Sequence, residues 1–199
     1  MTSLRKVPWD VTEEAMRLLN LTVADFASLP PVKSGRWYGA SGAAKWARFD
    51  PRQIRFQSQY LRMVSIVEAY VDTVSEALFD RQVESLDSFF KNLTAAIQDI
   101  SSASWNERKN CFKAHHGFSL QNCSGWSEFD RSIDVRNSIA HGLGVVTKKQ
   151  LASNKDKKIR LAKVKIVDGR IEVTKDSLQV CSTACAMLIK SIDDNLPHP

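Results

Sequence analysis

Residues 51–79 carry an unbroken helical pattern, and it narrows the possible folds more than any other feature of the chain. Tyr60, Val64, Val67, Val71, Val74 and Leu78 recur at alternating steps of four and three, which places them on one stripe of a helix. Met63, Ile66, Tyr70 and Ala77 form a second stripe, so this helix must be covered on two sides. Asp50-Pro51 opens it, with proline at the first helical position, where its missing N–H costs nothing. The β-branched valines lower helix propensity, and burial overrides that. The pattern predicts a mainly all-α fold, a bundle of four to five core helices.

The remaining chain supplies partners for that helix. Residues 1–30 carry two short helical patterns, one starting at Thr12-Glu13-Glu14 and one at a box-like Thr22…Asp25; Pro30-Pro31 ends them. Residues 31–50 set Gly35, Gly39 and Gly42 beside Trp37, Tyr38, Trp46 and Phe49, a loop that either covers the core or offers a base-stacking surface flanked by Lys33, Arg36, Lys45 and Arg48. Further helices are expected over 84–99, over 105–116 and from Gly125 to Ala140, where Gly142 and Gly144 stop the last. Ile159–Val167 and Arg170–Val173 alternate around Asp168-Gly169, a hairpin signal. A final amphipathic helix covers 176–194. The expected organisation is an N-terminal helical and loop extension over 1–50 and a helical domain over 51–199.

Composition narrows the function classes. A net charge of +6 favours a polyanionic partner such as nucleic acid. The chain has no run of about 18 apolar residues, which argues against a membrane span, and Arg5-Lys6 is not followed by the apolar stretch of a secretory signal. Cys111, Cys123, Cys181 and Cys185 fit no disulfide framework, and a reducing cytoplasm is the simplest setting. Cys181 and Cys185 read as small core residues of the last helix. Cys111, His115, His116 and Cys123 raise a zinc reading, but without a CxxC or HExxH spacing buried thiols and a surface histidine pair are the preferred account, and no metal is assigned.

The segment from Asp134 to Gly144 carries the chemistry. At about 100° per residue, Phe129, Ile133, Val135, Ile139 and Ala140 form a broad apolar arc with Arg136 in its middle. An arginine there needs a partner or a second surface. Asn137 and His141 share the opposite edge, with Asp130 and Asp134 behind them. Arg136 and His141 diverge by about 140° on an ideal helix, so arginine's reach, the Gly142 helix end or a second subunit must bring them together.

Arg136-Asn137-x-x-x-His141, late in a helix, resembles the Arg-x(4)-His signature of the HEPN superfamily. The long helix with Ser65-Ile-Val-Glu68-Ala-Tyr70 resembles the first core helix of many HEPN proteins, and the hairpin and closing helix resemble the branch linked to bacterial RNases and defence systems. The resemblance spans about residues 52–194. It implies a HEPN-like bundle and a metal-independent endoribonuclease without cofactor, acting as a homodimer with a composite cleft. It further implies an RNA substrate cut to a 2′,3′-cyclic phosphate and a 5′-OH. His141 would move the proton, Arg136 would stabilise the phosphorane, and Asn137 would orient phosphate or imidazole. Glu68 and Asp134 are supporting candidates. Glu68 would orient Arg136, or would simply be a solvated charge. Asp134 would alternatively satisfy a purely structural Arg–His pair. The usual settings of such proteins are toxin–antitoxin pairs and anti-phage defence, with an antitoxin or companion subunit holding the enzyme inactive. The alternative is a silent HEPN module that binds RNA or protein, or only dimerises. The basic stretch 148–165 reads either as a solvated hairpin face or as an RNA contact through Lys148, Lys149, Lys157, Lys158 and Arg160.

Overall fold

The structure, a computed structural model, describes residues 7–28 and 50–196. The described residues form eight α-helices, a 3-10 turn at Leu120–Asn122 and one small antiparallel hairpin. The mainly helical class with a C-terminal hairpin is the one the periodicity predicts. The connector over residues 31–49, with its candidate stacking aromatics, lies outside the described residues.

Helix α2 (Pro51–Val83) is the central strut. Asp50 caps it, accepting from the Arg52 and Gln53 N–H groups. Its first stripe is buried from Tyr60 to Leu78, and Met63 and Tyr70 of the second stripe are buried too. Helices α1 (Val7–Ser28), α5 (Trp126–Gly142) and α8 (Lys175–Asp194) pack around it. α1 is one continuous helix rather than two. Thr22 does not cap a second one; it is buried inside the helix and donates to the Leu18 carbonyl, a bond that satisfies the hydroxyl without breaking the backbone ladder. Thr12 is likewise no helix start: its hydroxyl donates to Asp193 of α8 at 2.7 Å. Ala15 and Leu19 of α1 join the same core as Val64, Phe129 and Leu188.

Helix α3 (Ser88–Ser101) begins four residues later than the pattern predicts, because Asp87 accepts from the Phe89 and Phe90 N–H groups. Helix α4 (Trp105–His115) starts at Ser104, whose hydroxyl accepts from Glu107 N.

The basic stretch is reorganised. It folds into two short helices, α6 (Lys148–Ala152) and α7 (Lys155–Leu161), and only Lys165–Val167 (β1) and Arg170–Glu172 (β2) are strands. The expected strand from Ile159 is therefore corrected. Ile159 and Ala162 are three apart, so one helical face buries both against the bundle, and that burial outweighs the alternating pattern. Asp168 and Gly169 both take positive φ, 49° and 73°, as the tight hairpin turn demands.

The end of α5 is built into this hairpin. Leu143 and Gly144 adopt left-handed backbone at φ 48° and 79°. Both their N–H groups return to the Ser138 carbonyl. The chain then runs beside β2, with Ile171 N–H bonded to the Gly144 carbonyl at 2.8 Å. At the other end, Gly125 (φ 83°) lets α5 meet α8 closely: an added Cβ would lie 2.8 Å from the Ala184 carbonyl oxygen.

Candidate functional site

One face of α5 opens into a groove of about 500 Å³. Glu68 of α2 forms its floor side, the start of α4 one wall, and Lys155 and Lys158 of α7 the other. Arg136, Asn137 and His141 all line it, together with Asp130, Ile133 and Asp134. The predicted catalytic and supporting residues therefore share one groove within a single chain. The groove is wide enough to take in side chains on both sides of the α5 face, Arg136 and His141 among them.

Arg136 sits where the apolar arc meets α2. Its side chain is 29% exposed, with Nη2 3.5 Å from Glu68 Oε2 and Nη1 donating to Asn137 Oδ1 at 3.2 Å. Glu68 is thus a partner of Arg136 rather than a free surface charge, and its other oxygen accepts from Trp105 Nε1 at 3.1 Å. The arc itself is narrower than the helical wheel predicts. Phe129, Val135 and Ile139 are buried, Ile133 is half-buried at the groove, and Ala140 is exposed.

His141 occupies the last turn of α5, is exposed, and makes no hydrogen bond or ion pair among the described residues. An exposed imidazole without a protein partner is available to take or give a proton.

Asp134 is drawn away from His141. Its side chain is 5% exposed and binds Lys155 Nζ at 2.7 Å, with Lys158 Nζ at 3.9 Å. Lys158 is also bonded to Asp130 at 2.7 Å, and that hydrogen bond raises the lysine above its ordinary pKa. Asp134 therefore anchors the α7 wall and does not complete an Arg–His pair. Of the predicted RNA-contact residues, Lys158 lines the groove, whereas Lys148, Lys149, Lys157 and Arg160 are exposed and lie outside its lining.

Trp105, Arg108, Lys109 and Lys155 also line the groove but were not singled out from the sequence. A signal existed for the lysine: Lys155 and Lys158 sit on one helix face opposite Asp130 and Asp134, so the charges match. Arg108 forks onto Asp72 of α2 through bonds of 2.7 and 2.6 Å. The groove carries five Lys or Arg against three carboxylates, and with Arg108 paired with Asp72 one positive charge remains in excess.

The cysteine–histidine set does not converge. His116, expected at the surface, turns inward instead. Its Nε2 lies 2.9 Å from Ser75 Oγ and 3.9 Å from Cys111 Sγ, and burial, helped by the charge of His115, lowers its pKa to about 4. Cys123 faces the Ser119 carbonyl. Among the described residues no group of three His, Cys, Asp or Glu is arranged to hold a metal. Cys181 and Cys185 are buried in the core of α8. No described helix is long and apolar enough to cross a membrane.

Comparison of the chain with protein-family models, with curated proteins and with solved structures found no match.

Proposed function

We propose that this chain is a HEPN-type endoribonuclease that cleaves RNA by internal transesterification. The observation that carries the reading is the shared groove of Arg136 and His141, in which the guanidinium is held by Glu68 and Asn137 and the imidazole is unencumbered. In the reaction His141 accepts the proton of the ribose 2′-OH, and the 2′ oxygen attacks the adjacent phosphorus. Arg136 neutralises the charge that builds on the non-bridging oxygens. The P–O5′ bond breaks, the 5′ oxygen leaves with a proton from solvent, and the products are a 2′,3′-cyclic phosphate and a 5′-OH. The nucleophile belongs to the substrate, so no step calls for a metal.

The surrounding biology follows from the family reading: a cytoplasmic homodimer acting as a toxin or anti-phage effector, restrained by an antitoxin or companion subunit. The four free, buried cysteines agree with a reducing compartment. A second reading, a silent module that binds RNA without cutting it, is favoured by the Arg136–Glu68 pair, which already occupies part of the guanidinium.

End-labelled RNA incubated with the protein in EDTA separates the two. The nuclease produces fragments with cyclic phosphate and 5′-hydroxyl ends, and R136A and H141A each lower the rate by about 10²–10³. Tight binding with intact RNA establishes the module instead, and neither binding nor cleavage removes both.

A further inference from the structure

We propose that Trp105 is a positioning residue that holds Glu68, and through it Arg136, in the orientation the groove requires. The proposal rests on the nuclease reading, in which Arg136 faces the reacting phosphate.

Arg136 does not secure itself. Its contacts to Glu68 and Asn137 are 3.5 and 3.2 Å, longer than a tight guanidinium–carboxylate fork. Asn137 lies next to it on α5, so the hold that reaches Arg136 from another helix is the Glu68 carboxylate, and its direction depends on where that carboxylate sits. Glu68 is a flexible side chain on α2, and its Oε1 accepts the indole N–H of Trp105 at 3.1 Å. That N–H divides the two carboxylate oxygens, leaving Oε2 for the guanidinium.

Trp105 can act as a fixed donor because its ring has little freedom. It meets Phe129 edge-on with centroids 4.9 Å apart and Trp126 with centroids 5.7 Å apart. Arg108 lies over it at 5.2 Å and is locked by the Asp72 fork. Glu68 and Asp72 are one turn apart on α2, and Trp105 and Arg108 are one turn apart on α4. The two helices are thus joined by matched polar contacts on one face, and the carboxylate of the first pair continues to Arg136. Packing requires the indole ring but not its N–H, which separates a positioning role from a merely structural one.

The variant W105F keeps an aromatic ring and removes the donor. We expect kcat for RNA cleavage to fall about tenfold or more, with KM changed less than about twofold, because misdirected groups lose transition-state contacts first. In an E68A background the same substitution should cost less than about twofold, since the relay is already cut. An equal loss in both backgrounds, or no loss in either, overturns the proposal.

Side-chain ¹⁵N–¹H spectra provide a readout that does not need activity. The Arg136 Nε–H signal, assigned through R136K, should move in both W105F and E68A. E68A, which leaves the aromatic cluster intact, should also move the Trp105 indole signal. If the wild-type protein cuts no RNA yet these signals move, the relay stands and the nuclease reading falls. If RNA is cut and W105F changes neither kcat nor the Arg136 signal, the relay falls and the nuclease reading stands.

Discussion

Asp134 and Lys155 meet at 2.7 Å with unequal burial: the carboxylate is 5% exposed and the lysine 42%. Removing either partner should therefore have different effects. K155A leaves a buried carboxylate with only Lys158 at 3.9 Å, whereas D134N leaves a lysine free to turn into water. We expect K155A to cost about 1–2 kcal/mol and D134N less, as read from urea denaturation midpoints. Equal losses would mean that water already reaches Asp134.

Two glycines with left-handed backbone should respond differently to alanine. At Gly125 a new Cβ collides with the Ala184 carbonyl and Met187, while at Gly117 (φ 79°) nothing lies within 4 Å. G117A should cost about 1 kcal/mol from backbone strain alone, and G125A about 3 kcal/mol or more through displacement of α8. Thermal unfolding of both variants checks the ranking.

Acid should weaken the protein through His116. Its folded pKa of about 4 lies below the ordinary 6.5, so the unfolded chain takes up the proton first as pH falls. The contribution is complete above pH about 6.5 and is lost progressively toward pH 4. Because the ring is only partly buried, the loss should be about 1–2 kcal/mol. The variant H116Q should show a smaller drop in Tm between about pH 7 and about pH 4.5. An unchanged drop would assign the acid sensitivity to the carboxylates.

Helix α3 presents Phe89, Leu93 and Ile100 at 68%, 51% and 64% exposure. Serine at all three should change monomer stability little, within about 0.5 kcal/mol per site, whereas F129A in the core should cost about 3–5 kcal/mol. Chemical denaturation of the two variants distinguishes an exposed stripe from a packed one.

If RNA is the ligand, the exposed cations Lys148, Lys149, Lys157 and Arg160 should act without regard to base sequence. Alanine at all four should weaken binding of unrelated single strands alike. It should also flatten the dependence of log K on log salt, by about 0.7 for each phosphate no longer neutralised. Weakening confined to one sequence would contradict that role.

Much of the architecture was legible because burial writes a period into the chain. The two stripes of α2 and the Asp168-Gly169 turn are each stated by local residue order, as is the helix bearing Arg136 and His141. Lys155–Leu161 was not legible as a helix, because a basic and apolar alternation satisfies two periods and only packing of Ile159 against the bundle chooses between them. The same holds at the groove. Its α5 residues are close in sequence and stand out together, but Trp105 and Glu68 are 37 residues apart and nothing local to either announces their hydrogen bond.

Asp130 and His141 lie on one uninterrupted rod, about 16 Å apart along its axis, and the left-handed pair Leu143-Gly144 ends that rod directly after Gly142. Helix α5 is thus a ruler for the groove. Inserting or deleting a single residue between 136 and 141 would swing the imidazole about 100° around the axis while leaving the guanidinium facing Glu68. This stretch should tolerate exchange of side chains far better than any change in its length.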